Sequence, residues 1–132
     1  MGVCLGMQLL ATRGDEGGGS PGLDLIPGEV KLLRVGQLRV PHMGWNGVHL
    51  RRDHPVFAEV KPERDFYFVH SYEFEVTDER DCLATTDYGV AVTAAVARGS
   101  VLGLQFHPEK SQRNGLALLE SFLLWDGADS SC

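Results

Sequence analysis

The sequence predicts an α/β fold, and three observations carry the prediction. Residues 23–88 break into short β-rich runs separated by Pro, Gly and Asp. Two apolar runs, 90–96 and 101–106, flank the turn-forming Arg98-Gly99-Ser100. Apolar stretches of helical character stand at both ends of the chain. Together they describe helices at both chain ends around a β-rich middle. One domain is expected for 132 residues of which 43% are hydrophobic and 23% charged. A chain of this size buries roughly two thirds of its unfolded surface. A packed core follows, and a disordered, collagen-like or disulfide-stapled chain is excluded.

In order along the chain, residues 1–13 open with small residues and run into Leu5, Met7, Leu9, Leu10 and Ala11. That pattern predicts a tight turn and then a short helix stopping at Gly14. Gly17, Gly18, Gly19, Ser20 and Pro21 make 14–22 a surface loop. Strands are predicted at 23–26, 30–33, 48–50, 66–72 and 83–88. The runs 90–96 and 101–106 form a hairpin whose strands are largely buried. Beyond Pro108, Leu116, Leu119, Phe122 and Leu123 recur at helical spacing and make 111–125 a closing amphipathic helix. Residues 126–132 are expected to be a disordered tail, and there is no internal repeat.

Charge and cysteine content narrow the function classes. Lys+Arg total 12 against 18 for Asp+Glu, a formal charge of −6, and the longest basic run is Arg51-Arg52. Neither nucleic acid nor an anionic membrane is therefore an expected partner. Cys4, Cys82 and Cys132 are too few and too unevenly spaced for a disulfide framework or a zinc site, which fits the reducing cytoplasm. No metal or organic cofactor is expected, because no Cys/His cluster has ligand spacing and there is no phosphate loop. The first residues lack a basic region and a small-residue cleavage site, and no apolar run is long enough to span a membrane.

Two short motifs carry chemistry. Gly2-Val3-Cys4-Leu5-Gly6 sets a cysteine among glycines just ahead of a helix, as a nucleophile elbow requires. The helix start adds partial positive charge favouring thiolate, and N–H groups that can hold an oxyanion. A structural cysteine beside packing glycines gives the same pentapeptide. In Phe106-His107-Pro108-Glu109, His107 can protrude from a sheet edge as a general base. Glu109, two residues on, falls on the same side of an extended backbone and can orient the imidazole. Alone, this reads equally as a surface pair. Together the motifs complete a thiol nucleophile, a base and an orienter. Cys82, just before Leu83 in a strand run, reads as an inert thiol.

The elbow GVCLGMQLL, the strand YFVHSY and the segment GLQFHPEKSQ resemble the class I glutamine amidotransferases, which hydrolyse the side-chain amide of glutamine to glutamate and ammonia. Pro41-His42-Met43-Gly44-Trp45-Asn46, and the Lys110-Ser111 after Glu109, resemble within that family the glutaminase subunits of imidazole glycerol phosphate synthases, from histidine biosynthesis. The match runs from residue 2 to about residue 122. The resemblance implies a flavodoxin-like α/β sheet with Cys4 as nucleophile, His107 as base and Glu109 as orienter. It implies that Leu5, Gln8, His70, Ser71 and Tyr72 hold glutamine. It also implies that Trp45, Asn46 and Lys110 face a cyclase subunit, which takes the ammonia in a cytoplasmic heterodimer. No cofactor or metal is implied.

The same resemblance places further strands and helices ahead of the elbow, among them the strand that delivers the nucleophile and a glycine-rich loop with an oxyanion donor. Residues 1–132 are therefore expected to be a single partial domain, the C-terminal portion of a glutaminase. Little activity is expected of it alone, since losing one oxyanion donor costs about 10² to 10³ in rate. The apolar faces of 66–69 and 101–106 are expected to lie exposed. Two rivals stand beside this expectation. Another class I amidotransferase or a γ-glutamyl hydrolase would share Cys4, His107 and Glu109 but not the 41–46 segment. A truncated, non-catalytic chain would only dock to a partner.

Overall fold

In the computed structural model, which describes residues 1–62 and 65–129, Gly2–Val3 forms a short strand, β1, followed by a one-turn helix, α1 (Leu5–Gln8). The chain continues through β2 (Arg13–Gly14), β3 (Ser20–Pro21), β4 (Gly28–Leu32), β5 (His42–Gly47) and β6 (His49–Leu50). Then come β7 (Asp65–His70), β8 (Tyr72–Val76), β9 (Cys82–Asp87), β10 (Ala91–Arg98) and β11 (Val101–Leu104), and α2 (Gln112–Leu124) closes the order. The strands form one sheet in the order β1-β11-β10-β9-β6, a second in the order β3-β2-β4-β8, and the pair β5-β7. This mixture of sheets and few helices meets the α/β expectation. Among the described residues, parallel pairing is confined to β1–β11 and β2–β4.

The predicted hairpin is β10–β11, which pairs Arg98 with Val101 across Gly99, whose φ of +56° suits glycine. Its strands are buried as expected: Val92, Ala94, Ala95, Val96, Ala97, Leu102 and Leu104 are all inaccessible. In β7 the alternation of period two sends Phe66, Phe68 and His70 inward. Phe66, Phe68, Leu102, Leu104 and Phe106 pack with Val56, Phe57 and Leu118 in the main core. The apolar faces of 66–69 and 101–106, expected to be exposed, are thus covered by α2 and the short turn Pro55–Phe57. A second core gathers Met7, Leu10, Ala11, Ile26, Val30, Phe74 and Val96 beneath α1.

Four local expectations are corrected. Residues 23–26 are not a strand, because the N–H groups of Leu25 and Ile26 both donate to the Leu10 carbonyl and wrap the segment over the turn after α1. The 66–72 run is two strands in different sheets: the chain changes partner from β5 to β4 at Ser71. The buried face of α2 is Gly115 and Leu118, with Phe122 against the core, while Leu116 and Leu123 face solvent. The helix docks there because Gly115 lies on the Pro108 carbonyl, which any Cβ would strike. Finally, 126–129 is tied down: Arg52 pairs with Asp129 at 2.9 Å and Trp125 Nε1 donates to the Ala128 carbonyl at 2.7 Å. The rest of the expected tail, 130–132 with Cys132, lies outside the described residues.

Candidate active site

Parallel pairing of β1 with β11 brings the start of the chain beside the His107 segment. Cys4 N–H donates to the Leu104 carbonyl at 2.7 Å, extending the pairing one residue beyond β1. Cys4 then adopts φ +53° and ψ −108°, a region L residues rarely occupy. Gly2 makes room for the turn, since a Cβ there would strike the Gly6 backbone. The tight, strained turn expected from the small residues is therefore seen at Cys4.

The half-buried thiol points its S–H at the Val69 carbonyl, 3.8 Å away, and Gln105 Nε2 donates toward Sγ at 3.7 Å. Burial pushes the Cys4 thiol up, against opposing pulls from the Leu5 N–H, Gln105 and Lys110, while Glu109 adds to the rise. Desolvation is thus the largest influence on the thiol, while the Leu5 N–H at the helix start pulls the other way, toward thiolate.

His107 N–H donates to the Tyr67 carbonyl at 2.9 Å, and the chain then enters a single 3₁₀ turn, Pro108–Lys110, led by proline with its fixed φ. This turn, rather than extended backbone, brings Glu109 back to the imidazole, with Nδ1 to Oε1 at 2.6 Å. A carboxylate accepting from Nδ1–H leaves Nε2 free to act as base. Ser111, fully buried, fastens the turn: its hydroxyl donates to the His107 carbonyl at 2.6 Å and accepts the Tyr67 N–H at 3.0 Å. The charges of Glu109 and Lys110 act on Cys4, so the two motifs share one locale. Among the described residues the thiol bonds to Val69 and Gln105 and not to His107.

Gln8, one turn beyond Cys4, donates through Nε2 to the Tyr72 carbonyl at 3.2 Å and to Gln105 Oε1 at 3.1 Å. His70 Nδ1 shares that Tyr72 carbonyl at 2.8 Å, and the Ser71 carbonyl accepts from Leu33 N–H at 2.9 Å. Leu5 and Gln8 border a cleft of about 70 Å³ whose wall includes Glu16, a carboxylate in the segment read from sequence as a plain loop. A larger hollow of about 330 Å³, lined by Val48, Phe57, Val60 and Phe66 among others, shares no residue with it. No three His, Cys, Asp or Glu side chains among the described residues are grouped to hold a metal ion. No described helix is long and apolar enough to cross a membrane.

Trp45 and Lys110 meet on one ring. Trp45 lies edge-on to Tyr67 at 5.9 Å, and Lys110 Nζ stands over that ring at 5.9 Å. Asn46 is spent internally: Nδ2 faces His42 Nε2 at 3.2 Å and donates to the Asp87 carbonyl at 2.7 Å, and Oδ1 accepts Gly47 N–H at 2.8 Å. Neither chemical motif contained Tyr67, Ser111, Gln105 or Glu16. Tyr67 stood only in the YFVHSY strand and Gln105 and Ser111 in the GLQFHPEKSQ run, with no role of their own, and nothing singled out Glu16.

An α/β sheet presenting a cysteine on a strained turn beside a His–Glu pair is the architecture of the triad amidotransferases. Residues 1–125 match the family described as Glutamine amidotransferase class-I, and the chain belongs to that family. The imidazole glycerol phosphate synthase subunit HisH of Caulobacter vibrioides is 50% identical over 127 residues, covering 95% of this chain and 60% of the relative. The HisH subunit of Moorella thermoacetica is 48% identical over 122 residues, covering 92% and 58%. The chain thus spans about 60% of the length of these relatives. Among solved structures, a putative GMP synthase subunit from Thermoplasma acidophilum superposes with a TM-score of 0.67 at 18% identity, over 92% of this chain and 54% of that one. A glutamine amidotransferase from Thermotoga maritima gives 0.62 at 21% identity, over 92% and 45%. Both are likenesses of fold.

Proposed function

We propose that this chain forms the thiol-bearing part of a glutaminase subunit of imidazole glycerol phosphate synthase, hydrolysing glutamine and passing ammonia to a cyclase subunit. The observation that carries this is the strained Cys4 beside the His107–Glu109 pair at the β1–β11 edge. Identity of 46 to 50% to HisH subunits supports the choice of synthase. Free thiols at Cys4 and Cys82 suit the cytoplasm.

In the proposed reaction His107 Nε2 takes the Cys4 proton and Sγ attacks the side-chain carbonyl carbon of glutamine. As the C–S bond forms, the carbonyl electron pair moves to oxygen, which the backbone N–H of Leu5 can hold. Collapse breaks the C–N bond, His107 gives its proton to the leaving nitrogen, and ammonia departs from a thioester. Water then gives a proton to His107 and attacks, the C–S bond breaks, glutamate leaves and the sulfur regains its proton. Glu109 keeps the imidazole in the tautomer this needs and stabilises its cation. Gln8 Oε1 and Glu16, both on the wall of the small cleft, offer acceptors for the substrate ammonium. Trp45, Tyr67 and Lys110 form the face toward the cyclase, with Asn46 bracing it from within.

The test is a glutaminase assay of the 132-residue chain, with and without a cyclase subunit from a related synthase, alongside labelling by a chloroketone analogue of glutamine. Label on Cys4, followed by mass spectrometry, is expected. Label confined to Cys82, whose thiol burial pushes up, overturns the assignment.

A further inference from the structure

We propose that Gln105 is a catalytic hydrogen-bond donor to the Cys4 sulfur, held in that orientation by Gln8, so that the thiolate forms against a carboxamide already aligned. This rests on the assignment of Cys4 as nucleophile and adds a group that neither motif contained.

Gln105 is fully buried at the end of an otherwise apolar strand run, where a carboxamide is costly unless both its ends are satisfied. Its backbone N–H donates to the Ala94 carbonyl at 2.8 Å, which fixes the residue in the sheet. The side chain spans two partners, Cys4 Sγ at 3.7 Å from Nε2 and Gln8 Nε2 at 3.1 Å from Oε1. Which end faces sulfur is settled by a third group. The Tyr72 carbonyl can only accept, so the Gln8 atom 3.2 Å from it must be the amide nitrogen. That same nitrogen faces Gln105, whose near atom must then be oxygen, leaving its N–H₂ for the sulfur. A flipped Gln105 would set two amide nitrogens against each other and an oxygen against the sulfur.

The thiol's other contact changes sign when the proton leaves. The Val69 carbonyl accepts the S–H of the neutral form but opposes the thiolate, since both atoms then carry negative charge. The Leu5 and Gln105 N–H groups favour the thiolate, Lys110 helps them, and Glu109 and burial oppose them. Gln105 is the only side-chain carboxamide among these groups, and hydrogen bonds to a charged acceptor are the strong ones.

The experiment follows the pH dependence of iodoacetamide alkylation at Cys4 in the full 132-residue chain by mass spectrometry, with Cys82 as internal reference. Gln105→Met, which keeps the bulk and removes the donor, is expected to raise the Cys4 pKa by about one unit and slow alkylation near neutral pH about tenfold. Gln8→Met leaves Gln105 in place but free to turn, and a smaller rise is expected. An unchanged Cys4 titration in Gln105→Met overturns the proposal. Should that variant fail to melt cooperatively, an unchanged titration in Gln8→Met overturns it instead. Neither readout needs turnover, so absence of glutaminase activity in the parent would count against the proposed function alone.

Discussion

His42 donates its Nδ1 proton to His70 Nε2 across 3.0 Å, inside the strand pair β5–β7 where both rings are buried. The direction follows from the groups at either end. His70 Nδ1 lies 2.8 Å from the Tyr72 carbonyl, which only accepts, so that nitrogen carries the proton and Nε2 is the acceptor. His42 Nε2 then accepts from the Asn46 carboxamide, whose orientation is fixed by Gly47 N–H on its oxygen and the Asp87 carbonyl on its nitrogen. Stacking of His42 between Phe68 and Tyr88, at 4.8 and 4.2 Å, completes an uncharged, ordered pair. Through Tyr72 it adjoins Gln8, and through Gln105 the Cys4 thiol.

That neutrality has a pH signature. Burial, with a smaller effect from His70, pushes His42 down to about 4, and burial lowers His70 too. An unfolded histidine titrates near 6.5, so between that value and about 4 the unfolded chain binds more protons than the folded one. Stability is therefore complete above about pH 6.5 and declines as the pH falls toward 4, by about 3 kcal/mol from His42 alone. Melting temperatures measured from pH 7.5 down to 4.5 should fall less steeply in His42→Phe than in the parent. Equal slopes would remove the histidine pair as the cause.

Strain at Cys4 gives a prediction that separates chemistry from backbone. Cys4→Ala and Cys4→Gly both remove the thiol and should both abolish turnover and labelling. Only glycine accepts φ +53° and ψ −108° without a Cβ penalty of about 1 to 3 kcal/mol, offset in part by its larger unfolded-state entropy. Unfolding free energies from denaturant titration should place Cys4→Gly above Cys4→Ala by about 1 kcal/mol. The reverse order would show that the turn holds no strain.

The residues legible in the sequence were those whose chemistry is local. Cys4 among glycines and His107 two positions from Glu109 announce themselves within five residues. The strands rich in Val, Phe and Tyr did so too, because their composition suits a pleated, half-buried surface. What could not be read depends on contacts made across the chain. Gln105 lies 101 positions from the Cys4 it touches, and in a run of Leu, Gly and Phe its meaning is invisible. Strand β5 contains Gly44, Asn46 and Gly47, poor strand formers that are extended because β7 pairs with them. Leu116 and Leu123 look like the buried face of α2, yet the glycine at 115 sets the docking phase. Segment 23–26 has strand-like leucines but its N–H groups are captured by the carbonyls of Leu9, Leu10 and Ala11 after α1.

At the proposed cyclase face, Trp45 and Lys110 are joined through Tyr67, 5.9 Å from each. Trp45→Ala should weaken association with a cyclase subunit by about 2 kcal/mol or more, as buried tryptophan anchors do. Lys110→Ala should leave glutamine hydrolysis less tightly coupled to ammonia use. Because both side chains lean on one ring, the double variant should lose less than the sum of the single losses. Calorimetric titration with the cyclase measures this, and parent-like binding and ammonia transfer in both single variants would place the interface elsewhere.

Glu109→Gln probes how much the carboxylate contributes beyond position. The Nδ1 to Oε1 contact of 2.6 Å is short, which favours a strong charge-assisted bond, but the Glu109 side chain is 51% exposed against 19% for His107. Water therefore screens part of the charge with which Glu109 stabilises the imidazolium. A buried aspartate in the equivalent role of a serine protease is worth about 10⁴ in kcat when replaced by its amide. For the half-exposed Glu109 the loss should be smaller, about 10- to 100-fold in kcat with KM little changed, since the group orients the base and touches no substrate. Glutamine carries an oxygen that can still accept from Nδ1–H, so part of the tautomer control survives, whereas Glu109→Leu removes it and should lose more. Steady-state kinetics of the two variants across pH 6 to 9 decides the matter. Equal and complete loss in both would mean that the charge itself, not the orientation, sustains the reaction.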